Sequence, residues 1–344
     1  MTYLLLEDGS VFPGEAVAAS GVAFGEAVFT TAMSGYQETV TDPSYAGQIV
    51  CFTAPMIGNY GVADERSQSD RVHATGIVMR EARGPAWTEW LREHGIVALT
   101  GVDTRSLVLH LRECGAMRAA VVADGTAVDA ALATVRAQPS MEGRALVAGV
   151  SPRNRYTFSD TGDVRVAVVD YGCKRSILRL LARHGAAVDV FPHDVDADSL
   201  AGYDGVLLGN GPGDPAPLGD EIATVRELLG RTSVLGICLG HQLLALATGH
   251  ETFKLPFGHR GANHPVLEQR SGRVLVTSQN HGFAVAPDDG TETTHVSLYD
   301  GTVEGLVFPE LRARSSQFHP EASPGPHDGA TVVGSWLEEL RAVA

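Results

Sequence analysis

Two hydrophobic rhythms divide the chain. In the second half, short continuous apolar runs at residues 164–169, 187–191 and 205–208 and at Ser233-Val234-Leu235 have the length of strands buried on both faces. Between them, residues 174–184 and a segment near 220–229 carry apolar positions at helical spacing, and Leu243-Leu244-Ala245-Leu246-Ala247 predicts a further helix. Such alternation implies a parallel sheet covered by helices on both faces, with active groups at the carboxyl ends of its strands. The first half is less regular. Residues 28–31 and 48–52 read as strands, and 86–93, 104–113 and 128–137 as helices. Residues 151–163 are polar and turn-rich. The expected organisation is a mixed α/β N-terminal domain over 1–150, a linker over 151–163, and an α/β domain with a parallel-rich sheet flanked by helices over 164–344.

The strand ending at Leu235 runs into Gly236-Ile237-Cys238-Leu239-Gly240-His241-Gln242. A nucleophile between two glycines at a strand-to-helix turn is the elbow pattern, here with cysteine in place of serine. The glycines are required because a sharp turn brings backbone close to backbone. The N-terminus of the following helix favours a thiolate at Cys238. A buried structural cysteine between packing glycines is the alternative.

A nucleophile needs a base, and the base an orienting group. Ser315-Ser316-Gln317-Phe318-His319-Pro320-Glu321-Ala322 follows a strand-like segment over 312–318, and Pro320 blocks a helix after it. On an extended backbone, His319 and Glu321 point to the same side. Glu321 would then hold the imidazole while His319 takes the thiol proton; a surface His and Glu in a loop is the alternative. Leu207-Leu208-Gly209-Asn210-Gly211-Pro212-Gly213-Asp214-Pro215 ends another strand in a glycine-rich turn. The N–H of Gly211, with that of Leu239, would make an oxyanion hole; an ordinary Gly-Pro loop is the alternative.

Residues 209–215, 236–242 and His319-Pro320-Glu321, in this order and at this spacing, together resemble the class I (triad) glutamine amidotransferases. The resemblance implies that Cys238 attacks the carboxamide of glutamine, forms a glutamyl thioester and releases ammonia, and that His319 activates water for the second half-reaction. Further blocks are similar to one branch, the small chain of carbamoyl-phosphate synthetase. They are Met33-Ser34-Gly35-Tyr36-Gln37-Glu38, Thr41-Asp42-Pro43-Ser44-Tyr45, Ile57-Gly58-Asn59-Tyr60-Gly61, Gly101-Val102-Asp103-Thr104-Arg105, Gly258-His259-Arg260-Gly261-Ala262-Asn263-His264-Pro265, Ser278-Gln279-Asn280-His281-Gly282-Phe283-Ala284-Val285 and residues 320–328. This resemblance spans nearly the whole chain.

It implies glutamine contacts at Ser44, Gly211, Gly213, Leu239, Gln242, Asn280, Gly282 and Phe283. In plainer readings, Ser44 caps a turn, Gln242 lies on a helix surface and Phe283 fills the core. Gln317-Phe318 stand where the family often has smaller residues, and Phe318 is expected to pack inward. The resemblance also implies a partner, the large subunit. That subunit would make carbamoyl phosphate from bicarbonate, ATP and this ammonia, feeding arginine and pyrimidine biosynthesis, in heterodimers and their higher-order assemblies. ATP and Mg belong to that subunit, and no cofactor is expected in this chain. Two readings from other classes stay open. A stand-alone cysteine hydrolase would not need the N-terminal blocks. A catalytically dead stabilising subunit would have lost its nucleophile or base.

Bulk properties narrow the field only by exclusion. A chain of 344 residues suffices for two domains with cores of their own. Lys+Arg 26 against Asp+Glu 41 gives −15, which argues against nonspecific binding to nucleic acid or anionic membranes. Cys51, Cys114, Cys173 and Cys238 show no CxxC spacing, so neither a zinc cluster nor a disulfide framework is indicated. A free nucleophilic thiol suits a reducing cytoplasm. Residues 1–10 include Glu7 and Asp8 and do not read as a signal peptide, and no stretch approaches the length of a membrane span. His259, His264 and His281 suggest a metal trio, but their flanking glycines and Asn263 predict turns, and no metal is expected. No phosphate-cradling Gly-X-X-X-X-Gly-Lys-Ser/Thr loop is present.

Overall fold

The continuous apolar runs of the second half form strands because both of their faces are covered. Val166, Val168, Leu207, Leu235 and Ile237 pack into one core with Ile177, Leu181, Trp336 and Leu337. Ala167, Val169, Val206, Leu208 and Val234 pack into another with Val225, Leu228, Leu243 and Leu244. Successive residues thus enter opposite cores, and neither parity is free to be polar. The computed structural model describes every residue except Asp289, Thr291 and Ala344. It divides into two units: Met1–Arg144 with Pro256–Arg260, and Ala145–Leu255 with Gly261–Ala344.

In the first unit the described strands are β1 (Tyr3–Leu6), β2 (Val11–Pro13), β3 (Glu15–Ala16), β4 (Val22–Thr30), β5 (Gln48–Phe52), β6 (Gly76–Val78), β7 (Val97–Thr100) and β8 (Met117–Val122). They form one mixed sheet in the order β2-β1-β8-β4-β5-β6-β7-β3. The run β4-β5-β6-β7 is parallel, and the remaining pairings are antiparallel. Its helices are α1 (Tyr36–Thr41), α2 (Pro85–Glu93), α3 (Thr104–Cys114) and α4 (Val128–Ala137), the last three within one residue of the predicted bounds. The edges of α3 follow from its caps: Asp103 accepts from the Ser106 N–H, and Gly115 leaves the helix at φ 92.

The second unit has β9 (Tyr156–Ser159), β10 (Val164–Asp170), β11 (Ala186–Pro192), β12 (Gly205–Leu208), β13 (Ser233–Ile237), β14 (Thr252–Glu268, of which Pro256–Arg260 count with the first unit), β15 (Arg273–Val285), β16 (Glu292–Ser297), β17 (Val303–Phe308) and β18 (Ala313–Ser316). The sheet order is β15-β14-β16-β17-β18-β13-β12-β10-β11-β9. Strands β11, β10, β12, β13 and β18 are parallel, as predicted. Helices α5 (Arg175–Arg183), α6 (Ala197–Leu200), α7 (Gly219–Leu228), α8 (Leu239–Ala247) and α9 (Thr331–Val343) complete the unit.

Three expectations need correction. Residues 151–163 are not only a linker, since β9 within them pairs antiparallel with β11. Its polar composition reflects an edge position, where Arg155 and Thr157 bond the Asp189 carboxylate at 2.9 and 2.6 Å. His259, His264 and His281 lie in β14 and β15 rather than in turns, and all three are buried. Their neighbours Gly261 and Gly282 are strand residues, and Gly258, directly before His259, also lies within β14 although its φ is 71. Helix α8 begins at Leu239, a turn earlier than the apolar run that predicted it. Among the described residues, no helix is long and apolar enough to cross a membrane.

Trp336 ties α9 to the parallel sheet. It is fully buried, and its Nε1 donates to Ser233 Oγ at 2.9 Å. Trp336→Ala is expected to lower the unfolding free energy by about 3–5 kcal/mol, and Ser233→Ala by about 1 kcal/mol. Denaturant unfolding of both variants checks this; a loss below about 1 kcal/mol for Trp336→Ala contradicts the packing described.

Candidate active site

Four segments reach one edge of the second unit's sheet because each leaves the carboxyl end of a parallel strand: residues 171–174 after β10, 209–213 after β12, Cys238 after β13 and 317–321 after β18. Register places Leu208 beside Gly236 and Ile237 beside Ser316. The Cys238 N–H donates to the Ser316 carbonyl at 2.9 Å, and the His319 N–H to the Ser278 carbonyl at 2.9 Å.

The elbow is tight enough to exclude side chains at its flanks. Cys238 has φ 55 and ψ −102, a strained conformation for an L-residue. A Cβ on Gly236 would lie 2.5 Å from the Gly240 carbonyl oxygen, and one on Gly240 would lie 2.2 Å from that of Leu208. The Gly240 N–H also donates to the Gly209 carbonyl at 3.0 Å, joining the elbow to the glycine-rich loop. In that loop a Cβ on Gly211 would meet the Tyr171 carbonyl oxygen at 2.4 Å and Leu239 Cδ2 at 2.8 Å. Gly213 has φ +92, in the left-handed region. Leu239 is the first residue of α8, so its N–H has no acceptor within the helix.

Cys238, His319 and Glu321 are buried, which removes the surface-loop alternative for the last two. His319 Nδ1 lies 2.7 Å from Glu321 Oε1. The carboxylate accepts there, which assigns the proton to Nδ1 and leaves Nε2 as the basic atom. The pair meets through a turn, not along the extended backbone that the sequence suggested: the Ala322 N–H donates to the His319 carbonyl at 3.1 Å, with Pro320 in the second position. The Cys238 thiol donates to the Asn280 carbonyl at 3.6 Å.

Sequence reasoning missed Lys174. Its buried ammonium lies 2.8 Å from Glu321 Oε1 and donates to the Ala322 carbonyl at 2.6 Å. Asp170 shapes the turn that delivers it, accepting from the Gly172 and Cys173 N–H groups at 2.7 and 2.6 Å. Burial nevertheless pushes the Asp170 carboxyl up to about 6. The Lys174 N–H donates to Asn210 Oδ1 at 2.9 Å. A signal was available, because a lysine at a helix N-terminus opposes the helix dipole and calls for a carboxylate nearby.

Electrostatics follow from this geometry. Burial disfavours a charged imidazole, but Glu321 and the neighbouring Cys238 outweigh it, so His319 is held above the ordinary histidine range, with Lys174 opposing. Burial would also raise the Glu321 carboxyl, yet Lys174 and His319 hold it well below the usual carboxylate range.

The remaining predicted residues divide by unit. Gln242 is buried rather than on a helix surface; its Nε2 donates to the Phe283 carbonyl at 2.9 Å and to Gln317 Oε1 at 3.0 Å. Phe283 is buried and Asn280, Gly282 and Phe283 all lie on β15. Phe318 packs inward as expected, edge-on to His295 with ring centroids 5.3 Å apart. Ser44 belongs to the first unit, in a one-turn helix over Pro43–Tyr45, where its N–H is capped by Asp42 Oδ1 at 2.9 Å. The arrangement in the second unit brings together a thiol, an imidazole oriented by a carboxylate and the helix-start N–H of Leu239, groups of the kind that acyl transfer through a thioester requires.

Residues 4–121 match the family model described as carbamoyl-phosphate synthase small chain, CPSase domain, and residues 167–336 match that of class-I glutamine amidotransferase. The carbamoyl phosphate synthase small chain of Methanopyrus kandleri is 46% identical over 98% of both chains. That of Xylella fastidiosa is 43% identical over 98% of both, and that of Thermotoga maritima 44% identical over 94% of both. The chain belongs to the carbamoyl phosphate synthase small chain family. Within this small-chain frame, Ser44 lies in the first matched region, and Lys174, Cys238, His319 and Glu321 lie in the amidotransferase region.

The Lys174–Glu321 contact gives a pH-dependent prediction. A carboxyl depressed in the folded state contributes stability above its unfolded pKa, about 4.3, and loses it as pH falls through the folded value. Lys174→Met leaves a buried carboxylate short of a cation and is expected to cost about 3 kcal/mol or more at pH 7. The gap from the parent should narrow as pH falls below about 4. Denaturant unfolding across pH 3–7 checks this, and a pH-independent gap contradicts the charge network.

Proposed function

We propose that this chain is the glutaminase subunit of a carbamoyl phosphate synthase, hydrolysing glutamine to glutamate and ammonia for use by a large subunit. The observation that carries the reading is the buried Cys238, His319 and Glu321 constellation beside the Gly209–Gly213 loop. Cys238, as thiolate, attacks the carboxamide carbon. The N–H groups of Gly211 and Leu239 receive the developing oxyanion. His319 gives its proton to the departing ammonia, leaving a glutamyl thioester. His319 then takes a proton from water as it attacks the thioester, and glutamate leaves with the thiolate restored. Glu321 keeps the imidazole oriented throughout.

Ammonia is mostly protonated near neutral pH and is then no nucleophile. A supplier therefore has to deliver it, unprotonated, to a partner that consumes it at once. In the proposed reading that partner is the large subunit, which binds ATP and Mg and forms carbamoyl phosphate from bicarbonate, for arginine and pyrimidine synthesis. The four free cysteines are in keeping with a reducing cytoplasm.

In the assembled synthase, Cys238→Ser should abolish carbamoyl phosphate synthesis from glutamine and leave synthesis from added ammonia intact. His319→Asn should lower glutamine hydrolysis by about 10²–10⁴-fold, and Glu321→Gln should cost less because it orients rather than transfers the proton. Steady-state assays with either nitrogen source check both. Glutamine-driven synthesis near the parent level in Cys238→Ser would sink the reading.

A further inference from the structure

Two acceptors fix the amide of Gln242. Its Nε2 donates to the Phe283 carbonyl at 2.9 Å and to Gln317 Oε1 at 3.0 Å. A backbone carbonyl only accepts, so the group facing Phe283 is the NH2. Both of its hydrogens are then engaged, and among the described residues the side chain's hydrogen bonds are these two, both through Nε2, so Oε1 takes no protein donor. The only atom this amide can offer a ligand is therefore an acceptor. It sits at the nucleophile: the Gln242 N–H donates to the Cys238 carbonyl at 3.2 Å, and Phe283 is on the same strand as Asn280, whose carbonyl accepts from the Cys238 thiol.

Gln317 is fully buried, two residues before His319, and its backbone N–H is pinned by the Glu304 carbonyl at 2.8 Å. Among the described residues, its side chain makes one hydrogen bond, to Gln242, and its Nε2 meets no protein acceptor. An apolar residue of similar size would serve folding as well as such an amide does, since a buried donor lacking an acceptor costs about 1–3 kcal/mol. What the amide does accomplish is to hold Gln242 in one rotamer.

We propose that Gln317 is a positioning residue: it turns the Gln242 amide so that its oxygen faces the substrate, and thereby selects carboxamides that carry an α-ammonium group. This rests on the glutaminase reading above. A neutral oxygen acceptor attracts an ammonium and disfavours a carboxylate at the same place. Without Gln317, one N–H of Gln242 is released, the amide pivots about its remaining bond to Phe283, and the acceptor is no longer held in place.

The test compares kcat and KM of the full chain for glutamine and for glutaramate, the same carboxamide without the α-ammonium. Gln317→Leu should lower kcat/KM for glutamine about tenfold or more, mainly through KM, the worth of one charge-assisted hydrogen bond. Glutaramate turnover should change little, so that selectivity between the two falls about tenfold. Gln317→Glu, whose carboxyl oxygen still accepts from Gln242, should restore most of the selectivity. If Gln317→Leu fails to fold, Gln317→Asn withdraws the same acceptor by one methylene and should show the same loss. An equal fall for both substrates, or unchanged selectivity, overturns the positioning role. A parent chain that hydrolyses no glutamine overturns the glutaminase reading together with it, whereas an active parent beside a Gln317→Leu variant of unchanged selectivity overturns the positioning role alone.

Discussion

A carboxylate sealed from water stays ionised only where cations meet it. Glu321 meets one, the Lys174 ammonium at 2.8 Å, and accepts from the His319 imidazole at 2.7 Å, both on Oε1. The rest of the site depends on that shared atom. It fixes which nitrogen of His319 carries the proton, and so which nitrogen is basic. It holds the turn after His319, because Lys174 also bonds the Ala322 carbonyl. It ties the segment after β18 to the segment after β10, which are not neighbouring strands. Removing any one partner leaves a buried charge uncompensated, so chemistry and stability are coupled at this point.

Backbone crowding is the second constraint, and it works through missing side chains. The elbow at Cys238, the loop at Gly211 and the carbonyl of Leu208 come within distances that no Cβ tolerates. This crowding sets the Leu239 side chain against Gly211 and keeps the strained Cys238 backbone from relaxing. The strain is held by the Gly240–Gly209 bond, between α8 and the loop after β12, and by the Cys238–Ser316 bond, between the elbow and β18. The reactive geometry is therefore a property of the sheet's register rather than of a flexible loop.

What the sequence disclosed, and what it hid, follows from the range of each interaction. The parallel strands and their helices were legible because both faces of β10, β12 and β13 are apolar, a purely local signal. The elbow was legible because its glycines answer a short-range steric demand. Lys174 was not, because nothing near it in sequence shows that Glu321, 147 residues on, is its partner. The strands β14 and β15 were misread as turns, since they bury polar residues such as His264, Thr277 and Gln279 that resemble loop composition. The edge strand β9 was misread for the opposite reason: it is polar because it is exposed. His319 and Glu321 were correctly paired but on the wrong backbone, a turn opened by Pro320 instead of a strand.

The central claim is that one thiol among four is a covalent catalyst, and its most direct test is rapid acid quench of the full chain turning over labelled glutamine, followed by peptide mass spectrometry. The account predicts a glutamyl adduct on the peptide containing Cys238, stable in acid, discharged by hydroxylamine and accumulating when the second half-reaction is slowed. No adduct during active turnover, or an adduct on the peptide of Cys51, Cys114 or Cys173, would contradict it.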